Sequence, residues 1–207
     1  WGVKSRNKEQ LFALNLLMDP NIPIVSLVGK AGSGKTLLAT AAGLQQIMEK
    51  DEHQKYKRLI ISRPVQPLGN DIGFLPGTMQ EKMAPWLMPI QDNLQFLMGD
   101  DKATLEMYVD KGIIEVEALT YIRGRSISNA FIIIDEAQNL TTHEIKTIIT
   151  RVGEGTKIVF TGDIDQIDNV YVDATTNGLT YTIEKFKEHD ICGHVTLQKG
   201  ERSKVAT

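Results

Sequence analysis

One run of eight residues constrains this chain more than any other. Gly29-Lys30-Ala31-Gly32-Ser33-Gly34-Lys35-Thr36 matches GxxxxGK[ST] at every fixed position. It follows Ile24–Val28, a β-branched run that reads as a buried strand. It opens a helical stretch, Lys35–Lys50, in which Leu38, Ala41, Ala42 and Gln45 recur three or four residues apart. In a strand–glycine turn–helix unit, backbone N–H groups can turn inward around phosphate oxygens, and the helix N-terminus adds partial positive charge. In that frame Lys35 reaches the β and γ phosphates and the Thr36 hydroxyl ligates Mg²⁺. The plain alternative, a glycine-rich turn without a ligand, fits this context poorly.

A second string completes the chemistry. Phe131-Ile132-Ile133-Ile134 is the most hydrophobic strand in the chain, and Asp135-Glu136 follow at its C-terminal end, where open α/β sheets bind ligands. Asp135 is placed to hold Mg²⁺ through water. Glu136 is placed to orient or deprotonate an attacking water, which suits a hydrolase better than a kinase. A solvated acidic turn is the bland reading of the pair. After a third buried run, Thr161-Gly162-Asp163 is followed by Gln166, either a sensor of the γ-phosphate or a turn-stabilising amide.

The remaining pattern sets the fold. Helical spacing predicts helices over Lys8–Met18, Lys102–Lys111, Thr142–Arg151 and Leu179–Phe186, and over Thr78–Met98 with interruptions at Pro85 and Pro89. Short apolar runs predict strands over Leu59–Ile61, Ile113–Val116, Lys157–Thr161 and His194–Leu197. Pro64–Gly77 reads as a long functional loop. Strands that alternate with helices and are buried on both faces argue a three-layer α/β sandwich with a mainly parallel sheet. No repeat or linker divides the 207 residues, so residues 1–207 read as one domain.

Composition excludes some classes and leaves others open. With 23 Lys plus Arg against 26 Asp plus Glu, the net charge of −3 rules out a basic coat for nucleic acid but not a local basic groove. The single cysteine, Cys192, precludes an intrachain disulfide and fits a reducing, cytoplasmic setting. No apolar run reaches the ~18–20 residues of a membrane span, and no signal peptide is visible. Trp1 stands where an initiator Met is expected, which suggests a piece of a longer protein. Cys192 and His194 are too few for a metal set, and His53 and His143 read as surface residues. Trp86 and the Met-rich stretch around it read as helix packing.

Other polar residues carry two readings each. Arg63 follows a strand end, and Arg123 and Arg125 flank Gly124 before the acidic strand; all three are ligand-face or nucleic-acid contacts, or ordinary surface charge. The run Lys55, Lys57, Arg58 is a solvated basic patch or a phosphate contact. Gln10 is an adenine-reading amide or a surface helix residue. Arg202 is an arginine finger or a solvated tail residue. An Asn-Lys-x-Asp base-reading motif is not found late in the chain, so GTP is set aside in favour of ATP.

Taken together these strings resemble the PhoH family of phosphate-starvation-inducible ATPases, which are similar to the ATPase core of superfamily 1 helicases. The resemblance rests on Val28–Thr36, Ser62-Arg63-Pro64, Gly73–Gly77, Tyr121–Arg125, Asn129–Asn139, Thr161–Asp163 and Gln166–Asp168. The tail Lys199-Gly200-Glu201-Arg202-Ser203 resembles the subgroup in which a PIN nuclease domain precedes the ATPase; the commoner family tail carries an Arg-His pair there. The resemblance implies a RecA-like P-loop NTPase fold, ATP and Mg²⁺ as cofactors, and RNA as partner through a helicase or translocase activity coupled to the nuclease. It also implies a homo-hexamer with Arg202 acting across the ring interface, Gln10 reading adenine, and Arg63 touching nucleic acid or γ-phosphate. The competing expectation is an ATP-gated oligomerisation scaffold that moves no RNA; a small-molecule kinase ranks below both.

Overall fold

The computed structural model describes residues 1–49, 52, 54–64, 79–99, 101–122 and 124–200, with backbone alone at 79–84 and 121. Six strands form one sheet: β1 (Ile24–Gly29), β2 (Arg58–Arg63), β3 (Ile114–Ala118), β4 (Ala130–Ile134), β5 (Lys157–Gly162) and β6 (Cys192–Leu197). Their order is β3-β2-β4-β5-β1-β6, and every pairing is parallel. A parallel ladder needs a crossover between consecutive strands. After α1 (Lys8–Met18), which precedes the first strand, the helices supply it: α2 (Lys35–Met48), α3 (Met79–Met98), α4 (Lys102–Asp110), α5 (Leu119–Ile122), α6 (Thr142–Ile149) and α7 (Gly178–Phe186).

Strand side chains alternate between two cores, which makes the three layers. Val25, Leu27, Leu59, Ile61, Phe131, Ile133 and Val159 pack with Ala13 and Leu17 of α1, Leu38 and Leu44 of α2, and Ile90 and Leu94 of α3. On the opposite face Ile60, Ile132, Ile134, Ile158 and Phe160 pack with Leu119, Ile145, Ile148 and Leu179 from α5, α6 and α7. The four central strands are buried along nearly their whole length, as expected of a sheet covered on both sides.

Local signals account for the helix starts. Asn7 accepts from the Gln10 backbone N–H at 2.9 Å at the start of α1, and Asn177 accepts from that of Thr180 at 2.9 Å at the start of α7. At α6, Thr141 and Glu144 form a reciprocal capping box. At its other end α1 is tied to the sheet. The fully buried Lys157, first residue of β5, donates from Nζ to the carbonyls of Leu16 at 2.6 Å and Asp19 at 2.8 Å, a cation on the carbonyl end of a helix.

Three expectations change. The helix over Thr78–Met98 is one element, Met79–Met98, and runs through both Pro85 and Pro89. The short helix α5 lies where no helix was expected, because four residues show no period. The sheet is parallel throughout among the described strands. Most of the expected loop over Pro64–Gly77, together with His53, Arg123 and Arg202, lies outside the described residues.

Candidate nucleotide site

Register brings four strand ends level. Val28 of β1 pairs with Gly162 of β5, Phe160 of β5 with Ile134 of β4, and Ile134 with Ser62 of β2. The residues just beyond these pairs therefore converge at the C-terminal edge of the sheet. They line a cleft of about 1040 Å³ bounded by Lys35, Thr36, Arg63, Asp135, Glu136 and Gln166.

The loop between β1 and α2 has the backbone that its glycines permit. Gly32 and Gly34 have φ of 82° and 88°, a region closed to most side chains. Gly34 is also the residue that precedes α2; no side chain caps that helix and no acid sits in its first turn. Its leading N–H groups thus face the loop without an internal carboxylate, an arrangement suited to an anion. Lys35 is buried and lies back across the loop, with Nζ donating to the Lys30 carbonyl at 3.3 Å.

Asp135 sits immediately beyond β4, its N–H held by the Ser62 carbonyl at 2.8 Å. One oxygen of its buried carboxylate accepts from the Thr36 hydroxyl at 2.9 Å and the Thr161 hydroxyl at 2.7 Å. A buried carboxylate touching the first-turn threonine of a phosphate-loop helix is an all-oxygen donor set, which fits Mg²⁺. No group of three or more His, Cys, Asp or Glu side chains able to hold a metal occurs among the described residues. Thr36 and Asp135 are the residues that would hold Mg²⁺.

Glu136 has a left-handed backbone, φ 53°, which turns the chain sharply after the strand and puts its side chain into the cleft. Arg63 donates from Nη2 to Glu136 Oε1 at 2.9 Å and from Nη1 to the Trp86 carbonyl at 3.2 Å, while its Nε lies 3.9 Å from Asp135. The other Glu136 oxygen accepts from the Gln138 amide.

Gln138 is the residue that sequence reasoning missed. It is fully buried; its Nε2 also donates to the Gln166 carbonyl at 3.0 Å, and its Oε1 accepts from the Asp163 N–H at 3.2 Å. A side chain on Gly162 would place its Cβ 2.5 Å from this amide oxygen, so the glycine is what lets Gln138 approach β5. The signal was an amide two residues after the acid pair. Its partners lie 25 and 28 residues away and could not be inferred from spacing.

The other candidates divide. Gln10 lies beside the loop: its Nε2 donates to the Ser33 carbonyl at 3.1 Å and its Oε1 accepts from the Arg6 N–H at 2.8 Å. It is buried, so the surface reading is set aside. The exposed Gln166 lines the cleft. Arg125, expected at the ligand face or a nucleic-acid path, is engaged elsewhere. It pairs with Glu115 and Glu117 on edge strand β3 at 2.8 Å each, and Glu115 also pairs with Arg58 at 3.1 Å. Alternation along β3 puts both acids on one face, where they claim the two arginines.

That cluster has a pH signature. Burial, helped by the neighbouring Glu115, pushes the Glu117 carboxyl up to about 7 against the pull of Arg125. An acid whose folded pKa is raised opposes folding once it must ionise; the penalty grows from about pH 4.5 and is complete above about 7. Glu117→Gln should therefore raise the unfolding free energy at pH 8 by about 1 kcal/mol after allowance for solvent screening, seen as a higher unfolding midpoint. The gain should vanish at about pH 4.5. Thermal melts of the two proteins between those two pH values check this, and an unchanged difference at the two ends would refute it.

A phosphate loop, a buried Mg²⁺-competent aspartate, and a glutamate beside it at the edge of a parallel sheet define a P-loop nucleoside-triphosphatase. The PhoH-like protein family model matches residues 2–206, and the chain belongs to that family. It is 55% identical over 208 residues to Protein PhoH2 of Bacillus subtilis (strain 168), and 42% identical over 207 residues to Protein PhoH2 of Mycolicibacterium smegmatis. Each alignment covers 100% of this chain but 46% of the relative, so the chain spans about half the length of these curated relatives. Among solved structures, the large terminase of a thermophilic bacteriophage shares the fold, with a TM-score of 0.54 at 14% identity over 98% of this chain and 49% of that one. No helix among the described residues is long and apolar enough to cross a membrane.

Proposed function

We propose that the chain is a Mg²⁺-dependent ATPase module that acts on single-stranded RNA as a helicase or translocase. The observation that carries the hydrolase part is the placement of Glu136 in the same cleft as Lys35, one residue beyond the aspartate bonded to Thr36. Mg²⁺ held by Thr36 and Asp135 would supply charge neutralisation to the nucleotide's phosphates. Lys35 leaves the Lys30 carbonyl for the phosphate oxygens and offsets their charge as they spread it in the transition state. Glu136 accepts a proton from water, whose oxygen attacks the γ-phosphorus. The bond from that phosphorus to the bridging oxygen breaks, and ADP and inorganic phosphate leave.

Gln10 retains one amide hydrogen and one oxygen lone pair beyond its two internal bonds, enough for the edge of adenine. Gln166, whose backbone is tied through Gln138 to Glu136, is the γ-phosphate sensor in this reading. Arg202 acts from a neighbouring copy in a homo-hexameric ring, and a PIN nuclease domain in the longer chain receives the RNA. The span of about half the relatives' length supports such an additional domain.

The test is ATP turnover with and without single-stranded poly(U), read beside mass in solution. A several-fold rise with RNA is expected, and the added turnover should fall as salt screens the phosphate contacts. ATP-dependent ring formation with turnover indifferent to RNA would replace the motor by an oligomerisation scaffold.

A further inference from the structure

We propose that Arg63 restrains Glu136, holding its carboxylate back from the attacking water until a backbone phosphate of the bound strand takes the guanidinium. The inference rests on the ATPase reading above and concerns what that reading leaves open, namely how a strand could change the rate.

Three observations carry it. Arg63 is the last residue of β2, and the β2–β4 register sets it directly beside Asp135 and Glu136. Its three nitrogens face three different groups: Glu136 Oε1, the Trp86 carbonyl of α3, and, at 3.9 Å, Asp135. Glu136 is thereby gripped on both oxygens, by Arg63 on one and by the buried Gln138 on the other. To align a water, Glu136 must offer an oxygen toward the γ-phosphorus. A charge-assisted bond from an arginine anchored at a second point is the strongest competitor for that oxygen. Gln138 cannot give way easily, because it is fully buried and bonded at two points, Asp163 and Gln166, to the loop that follows β5. Arg63 can, because its side chain remains 21% exposed at the mouth of the cleft.

A phosphate oxyanion is the chemistry that would draw it off, since a planar guanidinium pairs with phosphate as well as with carboxylate. Two sources offer one, the γ-phosphate of the nucleotide and the backbone of a strand. If the nucleotide sufficed, the restraint would be gone in every ATP-bound molecule and removing Arg63 would not raise the basal rate. The strand is therefore the source assigned here, and the restrained state is the ATP-bound, RNA-free one.

The experiment compares the chain with its Arg63→Ala, Arg63→Gln and Arg63→Lys variants in ATP turnover, with and without poly(U), after checking each variant's unfolding midpoint. Arg63→Gln keeps a donor for the Trp86 carbonyl if alanine loosens α3. Expected for Ala and Gln are a basal kcat about three- to tenfold above the parent, KM for ATP within about twofold, and less than about twofold further gain from RNA. Arg63→Lys retains a cation for Glu136 and should keep the low basal rate. A basal kcat that falls or stays level in folded Arg63→Ala overturns the restraint and makes Arg63 an ordinary phosphate contact. A basal rise in the variants without any RNA response in the parent overturns the strand as the releasing ligand. Parent and variants all without turnover, with ATP bound, would overturn the hydrolase reading itself and the restraint with it.

Discussion

Lys35→Ala should abolish ATP binding under ordinary assay conditions. The ammonium is buried, and its contact within the chain is the long bond to the Lys30 carbonyl. Little of the fold therefore depends on it, and alanine is the residue most compatible with the first turn of α2. The unfolding midpoint should stay close to that of the parent. Affinity should not. A unit charge about 4 Å from a phosphate oxygen contributes about 4 kcal/mol in the intermediate dielectric of a cleft, close to a thousandfold in affinity. Equilibrium titration with a fluorescent ATP analogue reads this directly. Unchanged affinity in the folded variant would remove Lys35, and with it the loop, from the nucleotide site.

Glu136→Gln separates binding from chemistry. The substituted amide fills the same volume at the same left-handed turn, and its oxygen can still accept from Arg63 or Gln138. It cannot take a proton from water. Single-turnover hydrolysis should slow by about 10²–10⁴-fold, the usual worth of a positioned general base, while ATP affinity changes only a few-fold. Loss of affinity in parallel with rate would mean that the substitution had disturbed Asp135 and Thr36 instead. Full turnover would falsify the role given to Glu136.

These two residues were legible without coordinates because their chemistry dictates local sequence. Glycines at 32 and 34 are needed for φ of 82° and 88°, and an acid pair directly after Phe131 and three β-branched isoleucines fits the end of a buried strand. The α/β class was legible for the same reason, since strands buried on both faces leave uninterrupted apolar runs. Strand order was not. Nothing in the spacing of Lys157–Gly162 says that β5 lies between β1 and β4, because order is set by crossovers that sequence periodicity does not record. Pairings between distant polar groups were hidden as well: Arg125 with Glu117, Gln138 with Asp163 and Lys157 with the end of α1. Each is decided by which side chain another element brings within hydrogen-bond reach. Pro85 and Pro89 misled in the opposite sense, since proline ordinarily breaks a helix interior and α3 continues through both.

The interposed strand also acts as a caliper. With β5 between them, β1 and β4 stand two ladder spacings apart, about 10 Å, so the loop and the acid pair form opposite jaws instead of adjacent ones. Side chains span that separation: the hydroxyl of Thr36, in the first turn of the helix that follows the loop, bonds Asp135 directly at 2.9 Å. Thr161 occupies the middle of the gap, and its hydroxyl touches the far jaw at Asp135. The spacing between the loop and the acid pair is thus set by backbone ladders, a dimension that no side-chain rotation can alter.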